Sequence, residues 1–289
     1  MGGVINIIES NSVSTSTSSS SEITEFPSGL QKSYLPQTVE GSTQQREYLV
    51  RYPSQPNQSN YPLVFYFHGN GDTAEDFYKG LHEVHELIDN NQFIGIFPQG
   101  LEKSWNLGAE ASKANDVAWV LGIIDEISEI SFVDSSSVYA VGISNGAGMV
   151  NKLAKETVSL KGIAPIVSQQ TLELSIIDPF RGVSVFQING DDDPLIPLQG
   201  GFSQVQHQFV SARESAENWA LHSKCATVPV TFEDVWGFYP VQAFVYGNCE
   251  SNQQVRYHIV EGSGHSGNFG NFALHTAIWN FFRKFPGGD

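Results

Sequence analysis

The sequence predicts an α/β fold, in which a mostly parallel central sheet is covered by helices on both faces. Short apolar runs alternate along the 289-residue chain with segments of helical periodicity. One of these runs, 61–69, is continuously apolar, as expected of a strand that is buried on both faces. The alternation extends from about residue 45 to the carboxyl terminus, and no internal repeat interrupts it.

The predicted elements follow one another regularly. The predicted strands are 46–53, 61–69, 92–100, 136–144, 162–168, 184–190 and 255–262. The predicted helices are 73–91, 115–130, 145–158, 211–223 and 271–285. Thr73 and Asp76 are typical of a capped helix start. Because open sheets of this class bind ligands beyond the carboxyl ends of their strands, we expect functional residues directly after strands.

The first 40 residues differ in composition from the rest. Residues 12–22, SVSTSTSSSSE, have almost no apolar side chain to bury, so residues 1–40 are expected to be mostly disordered. No apolar segment with a basic start is present there, and no signal peptide is predicted. Residues 41–289 are predicted to form one domain, with an irregular insertion at about 225–254.

Charge and hydropathy exclude several classes of function. The net charge of -16 disfavours nucleic acid as a partner, because such a partner requires a basic surface. An acidic protein also repels anions, which favours a neutral substrate; the alternative interpretation is that the acidity mainly keeps the protein soluble. No apolar run is long enough to cross a bilayer, and no membrane partner is predicted.

The two cysteines, Cys225 and Cys249, would form a disulfide in a secreted protein, whereas free thiols are the default in the cytosol.

A G-x-S-x-G motif lies at the end of a predicted strand. Ser144 follows the strand and a helix is predicted to begin directly after it, which is the context that a nucleophile elbow requires. Gly142 and Gly146 provide room where the strand and the helix crowd together. The amide of Asn145, at the helix amino terminus, can bind a developing oxyanion. Ser144 is therefore the candidate nucleophile.

A serine hydroxyl needs a base to take its proton. Among the eight histidines, His265 is distinctive because it follows a predicted strand in the turn GSGHSGN. Three carboxylates, Asp191, Asp192 and Asp193, follow the strand 184–190, and one of them is expected to orient the imidazole. No metal site is predicted, because the alternating oxygen ligands and the glycine of a calcium loop are missing from this stretch.

A second oxyanion donor is expected in the loop after an earlier strand. The stretch FYFHGNGDTAEDF (65–77) runs from an apolar strand through His68, Gly69 and Asn70 into a helix. The amide of Asn70 is the candidate donor, and His68 is interpreted as a structural residue of the loop.

These segments resemble the α/β-hydrolase superfamily, and within it the secreted esterases grouped with polyhydroxybutyrate depolymerases and feruloyl or acetylxylan esterases. The resemblance covers residues 45–286 and rests on FYFHGNGDTAEDF, SWNLG, NDVAWVLGIIDEI, VGISNGAGM, NGDDDPLIPLQGG and GSGHSGN. It implies the α/β-hydrolase fold, selects Asp193 as the acid of the triad, and implies an extracellular location, with the cytoplasm as the alternative. The family also commonly has a cysteine pair around its insertion, which Cys225 and Cys249 match.

The chain departs from the family at two places. The family often has cysteines where Asn70 and Ser104 stand, and both are absent together here, as expected of residues that normally pair. The family's histidine is commonly followed by Trp-Pro-Gly, whereas Ser266 follows His265 here. The second departure concerns acyl or polymer specificity and leaves the triad intact.

The predicted function is hydrolysis of a neutral carboxylic ester through an acyl-enzyme, with no cofactor. The resemblance implies a polyhydroxyalkanoate, a feruloyl- or acetyl-polysaccharide, or a small ester as substrate. Trp105, Trp236 and Tyr239 are candidates for an apolar substrate pocket, with core or lid packing as the alternative interpretation. A serine peptidase would use the same triad, and a non-catalytic binding module would usually have lost a triad member. No oligomeric state is predicted.

Overall fold

The computed structural model describes residues 26–57 and 59–287, which form twelve strands and seven helices. The strands are β1 (Gly29–Val39), β2 (Ser42–Tyr52), β3 (Tyr61–Phe67), β4 (Ile94–Pro98), β5 (Val133–Ile143), β6 (Gly162–Ile166), β7 (Ser184–Gly190), β8 (Gly201–Phe202), β9 (Gln208–Phe209), β10 (Val230–Trp236), β11 (Tyr239–Tyr246) and β12 (Val255–Val260). The helices are α1 (Ala74–Gly80), α2 (His82–Asp89), α3 (Asp116–Ser128), α4 (Asn145–Glu156), α5 (Leu172–Ser175), α6 (Ala212–His222) and α7 (Leu274–Lys284).

Ten of the strands form one sheet in the order β1-β2-β4-β3-β5-β6-β7-β12-β11-β10. All neighbours from β4 to β12 in this order are parallel, and the two strands at each end are added antiparallel. The predicted mostly parallel sheet is confirmed. Strands β8 and β9 form a separate short hairpin.

Helices cover both faces of the sheet. Apolar residues of α3, α4 and α6 form one core with one face, and those of α1, α2 and α7 form a second core with the other. Strand β3 contributes to both cores, because Phe65 and Phe67 face the first while Val64 and Tyr66 face the second. Its continuous apolar sequence therefore reflects burial on two sides.

The predicted helix 73–91 is divided in two. Thr73 caps α1 as predicted, because its side chain accepts a hydrogen bond from the amide of Asp76 at 3.1 Å. The helix ends at Gly80, because the backbone angles of Leu81 are not helical, and α2 begins at His82. Gly80, a weak helix former, occupies the position directly before this break.

The prediction that residues 1–40 are disordered is wrong for 29–39, while residues 1–25 lie outside the described residues. Residues 29–39 form β1, which pairs with β2 along its whole length. Its inward positions alternate from Ser33 to Val39, and Leu35 packs against the first core. The segment pairs with the edge that β2 offers, although its sequence has no continuous apolar run.

The insertion at 225–254 is regular rather than irregular. It consists mainly of the hairpin β10–β11, which extends the sheet beyond β12. Strand β10 lies at the edge, and six of its seven residues are exposed. In the structure a disulfide joins Cys225 to Cys249 across the base of this hairpin.

No helix in residues 26–57 and 59–287 is long and apolar enough to span a bilayer.

Candidate active site

Ser144 lies in the turn between β5 and α4. Its φ of 57° and ψ of -118° are unfavourable for a residue with a side chain, and the turn is held by the bond from its amide to the carbonyl of Ile166 at 2.9 Å. A Cβ on Gly142 would collide with the backbone of Gly146, and one on Gly146 with the carbonyl of Phe67. The glycines of the motif are therefore required by the close approach of strand and helix.

His265 lies between Ser144 and Asp193. Its Nε2 is 2.7 Å from the Ser144 hydroxyl, and its Nδ1 is 2.7 Å from Oδ2 of Asp193. Since the Asp193 carboxylate can only accept, Nδ1 carries the proton and Nε2 accepts the hydrogen bond from the serine. This leaves Nε2 free to take the serine proton during an attack on a carbonyl group.

The three neighbouring aspartates differ in their surroundings. Asp193 is buried, and its other oxygen accepts from the amides of Leu195 and Ile196 at 2.8 and 3.0 Å. Asp191 is exposed and accepts instead from the amide of Gly262 at 2.7 Å. Of the three aspartates, only Asp193 contacts His265. The structure therefore brings together Ser144, Asp193 and His265, which lie up to 121 positions apart in the sequence.

The loop after β3 is held by His68. Nδ1 of His68 bonds the carbonyl of Gly69 at 2.8 Å, and Nε2 accepts from the amide of Gly100 at 3.0 Å. Burial lowers the pKa of this histidine, which fits a neutral ring with one donor and one acceptor nitrogen. His68 is therefore structural in this fold, and it fixes the segment that carries Asn70.

The side chain of Asn145 is held by three hydrogen bonds. Its amide oxygen accepts from the amide of Trp105 at 2.7 Å, and its amide nitrogen donates to the carbonyl of Trp105 and to Glu110, both at 3.0 Å. The backbone amides of Asn145 and Asn70 donate no hydrogen bond within the described part of the chain. Both residues line a cavity of about 420 Å³ that Ser144 also lines.

None of the three aromatic candidates lines this cavity. Trp105 is fully buried, and its indole donates to the carbonyl of His68 at 2.9 Å, so it supports the loop instead. Trp236 is buried against Phe272, and Tyr239 is its partner across the β10–β11 hairpin. These side chains therefore do not form the cavity wall, and the alternative interpretation, core packing, describes them better.

Among residues 26–57 and 59–287, no group of three histidine, cysteine, aspartate or glutamate side chains is arranged to hold a metal ion.

Comparisons with known proteins agree with this architecture. No family model matches the chain. Feruloyl esterase B of Piromyces equi is 24 % identical over 252 residues, which cover 83 % of this chain and 45 % of that protein. Probable feruloyl esterase C of Aspergillus terreus is 26 % identical over 250 residues, which cover 82 % of this chain and 83 % of that protein. The structure of an acetyl xylan esterase from Aspergillus awamori superposes with a TM-score of 0.59 at 14 % identity, covering 82 % of this chain and 94 % of that one.

The chain has the α/β-hydrolase fold, and the relatives to which it is similar are named as esterases. It spans less than half the length of its Piromyces equi relative.

Two residues in the cavity wall were not found from the sequence. Glu110 and His207 form a pair whose Oε1 and Nε2 atoms are 2.8 Å apart. Burial acts to raise the pKa of Glu110, but hydrogen bonds from His207 and from the amide of Leu107 hold it below its usual value. The two residues are 97 positions apart and lie in loops without a motif, so no sequence pattern could have joined them.

Proposed function

We propose that this protein hydrolyses carboxylic esters through a Ser144–His265–Asp193 triad. The observation that carries the proposal is the pair of 2.7 Å contacts from His265, one to the serine hydroxyl and one to a buried carboxylate. A histidine with incidental surface contacts would not accept a hydrogen bond from a strained serine at one ring nitrogen while donating to a buried aspartate from the other. The esterase relatives support the same reaction class.

In the proposed mechanism, Oγ of Ser144 attacks the ester carbonyl while Nε2 of His265 takes its proton. The amides of Asn70 and Asn145 bind the negative oxygen of the tetrahedral intermediate. Its collapse breaks the bond to the alcohol, which leaves with the proton from His265. Water then attacks the acyl-enzyme with His265 again as base, the acid is released, and Ser144 recovers its proton. Asp193 keeps the imidazole oriented and stabilises its cation.

A neutral ester is the proposed substrate class. The net charge of -16 and the two glutamates that line the cavity, Glu102 and Glu110, repel anions. The named activities of the relatives favour a feruloyl or acetyl ester of a polysaccharide over a polyhydroxyalkanoate. Methyl ferulate, acetylated xylan and hydroxybutyrate oligomers, assayed side by side for acid release, distinguish these substrates.

The nucleophile is tested by Ser144→Ala. The variant is expected to lose about a thousandfold or more in kcat/KM on p-nitrophenyl acetate, because it removes the hydroxyl that is bonded to Nε2 of His265. Ser128→Ala is the matched control, since that hydroxyl bonds only within α3. Turnover by Ser144→Ala at more than a tenth of the parent rate, with unchanged circular dichroism, contradicts the proposal. Peptide anilides hydrolysed faster than esters would point to a peptidase instead.

We further propose that the protein works in an oxidising compartment outside the cytosol. The disulfide between Cys225 and Cys249 supports this, because such bonds persist where glutathione does not reduce them. Protein recovered from its natural source is expected to have no titratable thiol in denaturant. Two free thiols in that sample would contradict the location.

A further inference from the structure

Glu110 lies between two parts of the cavity that are distant in sequence. Its Oε1 accepts from the side-chain amide of Asn145 at 3.0 Å and from Nε2 of His207 at 2.8 Å, and its Oε2 accepts from the amide of Leu107 at 2.7 Å. Asn145 directly follows the candidate nucleophile. His207 belongs to the cavity hairpin, which we define as residues 201–209. One carboxylate therefore bonds to the elbow and to the opposite cavity wall.

The cavity hairpin has little support of its own. Its two strands, β8 and β9, have two residues each, and a hairpin of this size is not stable alone. The carbonyl of His207 closes its turn by accepting from the amide of Ser203 at 2.9 Å. The bridge between Thr171 and Phe209 attaches one end of it to the body. The bond from His207 to Glu110 attaches the other side directly to the loop that holds Asn145.

We propose that Glu110 is a positioning residue, which orients the elbow through Asn145, and that His207 is a specificity residue, which fixes the cavity hairpin over the bound ester. This inference rests on the proposed ester hydrolysis. Both side chains line the cavity and are close to nine-tenths buried, with exposed fractions of 11 % for Glu110 and 8 % for His207. Fixing this wall sets the size of the ester that the cavity accepts.

Glu110→Gln tests the positioning role with little change of shape. All three partners of the carboxylate are donors, so in either orientation the new NH2 group faces a donor. A donor–donor contact of this kind must displace Leu107 or Asn145. We expect kcat on p-nitrophenyl acetate to fall about tenfold with KM within twofold, because the elbow is affected rather than the binding of a small ester.

His207→Leu tests the specificity role, and His207→Gln is its conservative counterpart because the glutamine amide can still donate to Glu110. The readout is the ratio of kcat/KM between the most and least favoured esters, in one series with a lengthened acyl part and one with a lengthened alcohol part. His207→Leu is expected to reduce this ratio at least fivefold in one series. His207→Gln is expected to restore it to within twofold of the parent.

Glu217→Gln is the matched control, since it breaks an exposed pair with Arg213 on α6 and is expected to change neither quantity. The inference is overturned if Glu110→Gln and His207→Leu lower the melting temperature while kcat, KM and selectivity stay within twofold. It is also overturned if His207→Gln is as impaired as His207→Leu, or if the parent does not discriminate by size. If Glu110→Gln fails to fold, the two His207 variants decide. If the parent protein is inactive on all esters, the proposed function itself is refuted. This outcome distinguishes failure of the proposed function from failure of the further inference.

Discussion

Asp193 differs from Asp191 and Asp192 by its burial and by its contact with His265. Asp193→Asn is expected to reduce kcat on p-nitrophenyl acetate by about 10³-fold or more, because an amide can present its NH2 group to the imidazole and impose the wrong tautomer. Asp191→Asn and Asp192→Asn are the controls, with changes below fivefold. Steady-state kinetics measures kcat for the three variants. A larger loss in Asp191→Asn than in Asp193→Asn would show that Asp193 is not the acid of the triad.

A buried histidine outside the site makes stability depend on pH. His258 lies between Phe186 and Trp236, and its burial lowers its pKa to about 4. Because the unfolded chain takes up the proton near pH 6.5 and the folded protein does not, the free energy of unfolding decreases as the pH falls from 6.5 to 4. The loss reaches about 3 kcal/mol for this one group.

His258→Phe is therefore expected to flatten the dependence of stability on pH between 6.5 and 4. The measurement is urea unfolding at several pH values, and the slope is compared rather than the absolute stability. His82→Phe is the control, since His82 is exposed. An unchanged slope in His258→Phe would mean that this histidine is protonated without cost in the folded protein.

The segment between β4 and α3 depends on a buried ion pair at its base. Arg46 of β2 contacts Asp116 of α3 at 2.7 Å, and both side chains are almost fully buried. The second oxygen of Asp116 accepts from the amide of Asn106 at 2.7 Å, next to the residue that holds Asn145. The pair therefore connects the sheet edge to the loop behind the elbow.

Asp116→Asn is expected to lower the free energy of unfolding by about 3 kcal/mol, because it leaves the Arg46 guanidinium buried without its counterion. The double variant Arg46→Met with Asp116→Asn should recover part of this loss. Glu250→Gln, which breaks an exposed pair with Lys224, is the control and should change stability by less than about 1 kcal/mol. Urea denaturation measures all three, and equal losses in the single and double variants would show that the charge is not the cause.

Elements with a strong internal pattern were predictable, and elements that depend on a neighbour were not. Seven strands were predicted, and their ends agree with the structure within a few residues, because each has a continuous or alternating apolar run. They are β2, β3, β4, β5, β6, β7 and β12. Strands β1 and β10 lie at the two edges of the sheet, where most of their side chains are exposed and neither has a continuous apolar run. Their pairing with β2 and β11 decides their conformation.

The same contrast holds for the site. Ser144, His265 and the run Asp191–Asp193 were predictable because each follows a strand, and a shared sheet edge brings them together. Within that run, only the family resemblance selected Asp193. Glu110 and His207 lie in loops, where position is decided by tertiary contacts that no local pattern records. Trp105 was a candidate both for a substrate pocket and for core packing, because the sequence does not reveal that its indole donates to a backbone carbonyl.

At the scale of the whole molecule, the candidate site draws on loops after four strands of one sheet, namely β3, β5, β7 and β12. These strands lie at the centre, between antiparallel additions at each end. Changes in the antiparallel strands at the edges of the sheet can therefore alter the shape of the molecule without changing the spacing of the loops that carry the site.

The positions of Ser144 and His265, 121 residues apart, have a practical consequence for this protein. No proteolytic fragment that lacks either end of that stretch can retain the reaction proposed above. We expect inactivation by urea to coincide with the loss of tryptophan fluorescence, because the centre of the sheet is one cooperative unit. Activity that disappears well before the fluorescence changes would instead indicate that the loops can part while the strands remain paired.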